Sequence, residues 1–202
     1  ICDREKRSVL ANNKLVCNHA KYISDTCTGY FAGNPVKYSG DGLEPLLELL
    51  RAADSDTQDI DLAQKASIFG TAYEFIYTDE DGQPQLYSPD PRQAFVIYDD
   101  TVRQKPVAGV YYYPLHDSVT DRDTGYSVYL CDSENVVHFT TDTGFSVTAE
   151  PESRPHGMDG VPLIEIYNNS TCGSDFEPVL SLIDAYNTLQ SDRVNDKEQF
   201  VE

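Results

Sequence analysis

The stretch Thr71-Ala72-Tyr73-Glu74-Phe75-Ile76-Tyr77-Thr78-Asp79-Glu80-Asp81-Gly82 decides the fold, because the hydrophobic period changes on entering it. Before Gly70 apolar residues recur at helical spacing. From Thr71 they alternate: Ala72, Glu74, Ile76 and Thr78 interleave with Tyr73, Phe75 and Tyr77, so the strand has one apolar and one mixed face. Asp81-Gly82 then supplies the backbone freedom that a hairpin turn needs. Helices are expected before this point and strands after it.

On the N-terminal side, Leu43 to Ala53 repeats apolar residues at helical spacing, and a further helix is expected from Ser55 or Asp56, as side-chain caps, to Gly70. Ser8 to Asp25 has a looser helical pattern, with Val9, Leu10, Val16, Ala20 and Ile23 interrupted by Asn12-Asn13. In Gly29-Tyr30-Phe31-Ala32-Gly33-Asn34-Pro35-Val36-Lys37-Tyr38, two glycines and a proline predict an ordered turn leading to a short strand rather than a helix. On the C-terminal side strands are expected at Ala94 to Tyr98, Val107 to Tyr113, Tyr126 to Cys131, Val136 to Thr141, Phe145 to Ala149 and Leu163 to Tyr167. Residues 132–135 and 142–144 supply turns between them. Short, regularly spaced strands after helices imply an α+β fold with a mostly antiparallel sheet.

The period switches back at Ser174-Asp175-Phe176-Glu177, which fits a capping box, with Pro178 tolerable in the first turn. Phe176, Val179, Leu180, Ile183 and Asn187 share one face, and the apolar ones are expected to dock on the sheet. Past Gln190 the helix holds Val194, Phe200 and Val201 among charged and amide residues. Such a helix is expected to be solvated or to meet a partner outside the chain. The boundaries implied are 1–173 for the body and 174–202 for this helix. The chain opens at Ile1 and stops at Glu202 within a helical run, so it is expected to be part of a longer protein.

Formal net charge is -19, although residues 1–21 carry five basic and two acidic side chains. Gripping DNA phosphates requires clustered Lys or Arg, and no basic stripe is visible. No apolar run approaches the roughly 20 residues that span a bilayer. Cys2, Cys17, Cys27, Cys131 and Cys172 are odd in number and scattered, without a CxxC pair, and are expected to be reduced and mostly buried. No signal peptide is visible.

Chemistry-bearing patterns are weak. His19, His116, His138 and His156 are far apart in sequence, and there is no HExxH, GxSxG, phosphate-loop or GxGxxG spacing. Asp99-Asp100 at a strand end has the oxygen chemistry for Mg²⁺, but adjacent strand residues point to opposite faces, and the pair reads as a turn. Asp79-Glu80-Asp81 reads as a solvated hairpin tip. Asn168-Asn169-Ser170-Thr171 carries glycosylation sequons but reads as turn-forming, and Tyr111-Tyr112-Tyr113 as strand packing. These features assign no catalytic, cofactor or metal residue.

Several strings in order resemble portal proteins of tailed double-stranded DNA phages and prophages of Gram-positive bacteria. They are Asn12-Asn13-Lys14-Leu15, Ile23-Ser24-Asp25, Gly29 to Val36, Gly70-Thr71-Ala72-Tyr73-Glu74 and Phe95-Val96-Ile97-Tyr98-Asp99. Toward the end come Pro162-Leu163-Ile164-Glu165, Asn168-Asn169, Ser174-Asp175-Phe176-Glu177 and Leu182-Ile183-Asp184-Ala185-Tyr186-Asn187. The resemblance implies a portal wing plus the start of a stem helix, in a non-enzymatic subunit without cofactor. It further implies a ring of about a dozen copies at the capsid vertex of the virion, assembled in the host cytoplasm with double-stranded DNA passing through. Scaffold, terminase and head-completion proteins are the implied partners; another virion or tail structural module and an acidic metal-dependent enzyme stay open as alternatives. Asp184, Asn187, Asp192, Val194 and Phe200 are then candidates for a subunit-interface helix.

Overall fold

The change of period at Gly70 is a helix-to-strand junction. The Gly70 N–H donates to the Ala66 carbonyl at 2.8 Å, and its φ of 81° lies in the left-handed region that glycine adopts freely. A Cβ there would stand 1.9 Å from the Cys172 carbonyl oxygen, so no other residue fits.

The computed structural model describes residues 12–201. In order, its elements are α1 (His19–Ala32), α2 (Glu44–Ala52), α3 (Ser55–Phe69), β1 (Thr71–Thr78), β2 (Pro84–Tyr87), β3 (Ala94–Tyr98) and β4 (Pro106–Asp117). There follow β5 (Arg122–Cys131), β6 (Asn135–Asp142), β7 (Glu152–Pro155), β8 (Leu163–Tyr167) and α4 (Leu180–Val201). The fold is α+β, with its strands in two antiparallel sheets, β2-β1-β8 and β3-β4-β5-β6-β7.

The core lies where the two sheets meet. Tyr73, Phe75, Ala94, Cys131 and Leu163 are buried together, with Val96, Val136 and Val161 against them. Gly109 of β4 permits this approach: a Cβ there would lie 2.7 Å from Leu163 Cβ and 3.0 Å from Cys131 Sγ. Burial pushes the Cys131 thiol up to about 11, so it packs as a neutral group. Since Tyr73 and Phe75 face this core, alternation turns Ala72 and Glu74 toward α3, on which β1 packs. Glu165 of β8 ties the sheets at their rim, accepting the hydroxyls of Tyr73 (2.8 Å), Tyr98 (2.7 Å) and Tyr167 (2.9 Å).

Several expectations are corrected. Residues 8–11 of the first expected helix lie outside the described residues, and 12–18 are not helical; Asn18, whose side chain accepts the Lys21 N–H at 3.0 Å, starts α1 instead. The helix continues through Gly29 to Ala32, where a turn was expected, and no strand follows Gly33. Glycine costs about 1 kcal/mol inside a helix, which the packing of α1 on α3 offsets. The N-cap of α3 is Asp54, without a side-chain cap bond, rather than Ser55 or Asp56. Phe145 to Ala149 is not a strand: Asp142 Oδ1 accepts the N–H groups of Gly144 and Ser146, Phe145 has a φ of 63°, and one bridge, Thr141 to Val147, remains. No capping box forms at Ser174; a 3-10 turn, Glu177–Val179, leads into α4 from Phe176 without a side-chain cap. Among the described cysteines only Cys131 is buried; Cys17 is half-buried, and Cys27 and Cys172 are exposed free thiols.

Candidate assembly surface

α4 is a helix of 22 residues, about 33 Å long at 1.5 Å per residue. Its packing differs from expectation. Val179 and Ile183 are half-buried, but Leu180 is exposed, and α4 lies against α1 rather than on the sheets. His19 of α1 meets the Tyr186 ring edge-on, with centroids 4.9 Å apart.

The polar second half does find a partner within the chain. Residues 13–17 run extended along α4 in the opposite direction. The Asn13 N–H donates to Asn195 Oδ1 at 2.7 Å, the Leu15 N–H to Ser191 Oγ at 2.9 Å, and the Cys17 N–H to Asn187 Oδ1 at 2.8 Å. Each step is two residues in the segment and four in the helix. Two extended residues advance about 6.6 Å and four helical residues about 6.0 Å, so the two repeats stay in register across three bonds. Asn13 Nδ2 extends the ladder to Glu198 Oε2 at 2.7 Å. Ser191 and Asn195 are only 8% and 7% exposed. They are the buried residues of this face, and an apolar reading of the helix passes over them. The signal in the sequence is a polar repeat, Asn187, Ser191 and Asn195, at i, i+4 and i+8.

This ladder separates the candidate interface residues. Asn187 is engaged inside the chain. Asp184 is exposed, Asp192 and Val194 are half-buried, and Phe200 is 90% exposed. On the face away from the ladder, Leu182 and Leu189, seven residues apart, are 68% and 67% exposed. A helix with one face bonded to its own chain and two uncovered leucines a heptad apart on the other has the form of an assembly element.

The root of α4 is anchored to α3. Asp175 accepts Ser67 Oγ at 2.7 Å and Asn168 Nδ2 at 2.8 Å. Burial opposes its charge, but the donors Asn168, Ser67 and Cys27 hold its carboxyl below the usual range. Deeper on α3, burial and then the neighbouring Asp56 push the Asp59 carboxyl up, and burial and then Asp59 do the same to Glu74. Asp99 is a turn residue whose Oδ1 accepts the Lys105 N–H at 2.9 Å and Thr101 Oγ1 at 2.7 Å. Among the described residues no three His, Cys, Asp or Glu side chains are grouped to hold a metal ion, and no helix is long and apolar enough to cross a membrane.

The portal protein of Bacillus phage SPP1 is 25% identical over 206 residues, covering 94% of this chain and 41% of that protein's length. The chain thus spans less than half of the relative it matches. Residues 3–202 match the family described as phage portal protein, SPP1 Gp6-like. With α4 and its ladder in a chain matched along nearly all its length, this protein belongs to the SPP1 Gp6-like family of phage portal proteins.

Proposed function

We propose that this chain forms the wing side of a portal subunit, residues 1–173, with 174–202 as the start of its stem helix. The subunits close into a ring of about a dozen copies at the capsid vertex of the virion, through which double-stranded DNA passes. The whole subunit is assembled in the host cytoplasm with scaffold protein, receives the packaging terminase and then head-completion proteins, and catalyses no reaction. The observation that carries this reading is the two-faced α4 in a portal-family chain. Asn187, Ser191 and Asn195 are held by residues 13–17, leaving Leu182, Leu189 and Phe200 for a neighbouring subunit. Of the other candidates, Asp192 lies at the flank between the two faces, and Asp184 and Val194 lie on the side of the ladder. A net charge of -19 is compatible with DNA that slides, since strong phosphate contacts would retard it.

Particle imaging of the full-length protein tests this directly. Rings with an axial channel are expected, and Leu182→Asp or Leu189→Asp should shift the population toward monomers with the far-ultraviolet spectrum unchanged. Rings unaffected by both substitutions would remove the interface role of α4, and the absence of rings in the unaltered protein would overturn the ring itself.

A further inference from the structure

The inner face of the five-stranded sheet continues beyond the core without cover. Tyr111 and Tyr113 of β4, Tyr129 of β5 and His138 of β6 stand side by side there, and β1 and β2 bring Tyr77 and Tyr87 against them. The rings line a cleft of about 590 Å³, within the roughly 300–1,000 Å³ of ligand sites. Their centroids are evenly spaced: 5.8 Å for Tyr111 and Tyr113, 5.9 Å for Tyr111 and Tyr129, 6.4 Å for Tyr113 and Tyr129. Two carboxylates flank the cleft: half-buried Asp79, which also accepts the N–H groups of Asp81 and Gln83 and Nε2 of Gln85 within the β1–β2 hairpin, and exposed Glu152 from β7, bonded to Arg154 at 3.0 Å. Glu80 and Asp81 follow at the hairpin tip.

One wall of the cleft is the edge strand β7, and its ladder says how a partner can be read. The His156 N–H donates to the Glu134 carbonyl at 3.1 Å. The antiparallel alternation therefore turns the backbones of Glu152 and Arg154 toward β6, and those of Ser153 and Pro155 outward. Pro155 has no N–H, so the open edge offers little to an added strand. Recognition in this cleft must run through side chains.

We propose that the cleft binds a proline-rich segment of a partner protein that carries arginine or lysine. A polyproline II peptide needs no main-chain pairing and advances about 6.2 Å in two residues, the interval between the tyrosine rings. Its pyrrolidine rings lie on the open side of the tyrosine cluster, against the ring faces and edges that line the cleft. Its cations meet those faces and the carboxylates of Asp79 and Glu152, in a protein whose net charge of -19 favours a basic partner. This site is separate from the α4 surface and does not depend on ring formation.

Fluorescence anisotropy of the purified protein with a labelled decapeptide of alternating proline and arginine provides the test. Saturable binding is expected, weakened about tenfold by Glu152→Gln, at an exposed position, and similarly by Tyr113→Leu. The same substitution of carboxylates at the distant β4–β5 turn, Asp121→Asn with Asp123→Asn, should leave binding unchanged. Absence of saturation would overturn the proposal, as would equal binding of an alternating proline–glutamate decapeptide. So would equal loss from the β4–β5 turn substitutions, which would reduce the interaction to general charge attraction.

Discussion

Tyr98 of β3 donates its hydroxyl to Glu165 of β8 at 2.7 Å, and this bond spans two sheets that share no ladder. Tyr73 and Tyr167 donate to the same carboxylate. Burial and then the bond to Glu165 raise the Tyr98 and Tyr73 hydroxyls above their usual range, so both stay protonated donors.

Removing the shared acceptor should therefore cost more than removing one donor. Glu165→Ala leaves the buried Tyr73 hydroxyl without its partner and is expected to destabilise by about 2 kcal/mol in urea unfolding. Tyr98→Phe, at a more exposed position, should cost less than about 1 kcal/mol. Equal costs would mean that Glu165 acts on Tyr98 alone.

The ladder on α4 predicts a one-to-one map of amide protection. Hydrogen exchange should show the amides of Asn13, Leu15 and Cys17 protected. Asn195→Ala should release chiefly the first, Ser191→Ala the second and Asn187→Ala the third, each with a stability loss of about 1 kcal/mol. Uniformly fast exchange of all three amides in the unaltered protein would dismiss the ladder.

Gly109 and Leu163 should be energetically coupled. Gly109→Ala drives a methyl into Leu163 and is expected to cost about 1–3 kcal/mol. Leu163→Ala alone should cost about 2–5 kcal/mol through the cavity left. The double substitution should cost less than the sum, because each change relieves the other; strict additivity in chemical denaturation would contradict the contact.

Asp59 should make the protein less stable as its carboxyl ionises. Burial first, and Asp56 second, raise its pKa in the folded state, so the folded protein holds this proton more tightly than the unfolded chain. The stabilisation belongs to the protonated form and is lost as pH rises through the raised value. Asp59→Asn should thus raise Tm at about pH 7 and have little effect below the ordinary carboxylate range. A lower Tm at neutral pH would reverse the assigned sign.

How legible these features were in the sequence depended on whether they bury apolar surface. β3 and β8 match their expected spans residue for residue, and β1 begins where the alternation begins, because each strand sets apolar side chains against the core and is bounded by turn residues. β2 and β7 went unseen. β2 is Pro-Gln-Leu-Tyr and β7 is Glu-Ser-Arg-Pro, edge strands with little to bury and hence no alternation to detect. The start of α1 was set by Asn18 bonding a backbone N–H, a choice that hydrophobic period does not register against Asn12-Asn13. Asn187 was a candidate for contact between subunits, and its bond to Cys17 is instead internal. The polar repeat that carries this bond recurs with helical period but is silent when only apolar residues are counted.

The ladder joins residues 182 positions apart, and this has a consequence for how the chain is made. A ribosome adding about 5–20 residues each second releases the Asn13 segment on the order of ten to forty seconds before Asn195 exists. During that interval the local hairpins of β4, β5 and β6 can already form. The segment waits without its helix, and the latch closes only on a chain translated at least to Asn195. A nascent product that stops short of Asn187 has no partner for Cys17, and the ladder thereby distinguishes chains translated through α4 from shorter ones.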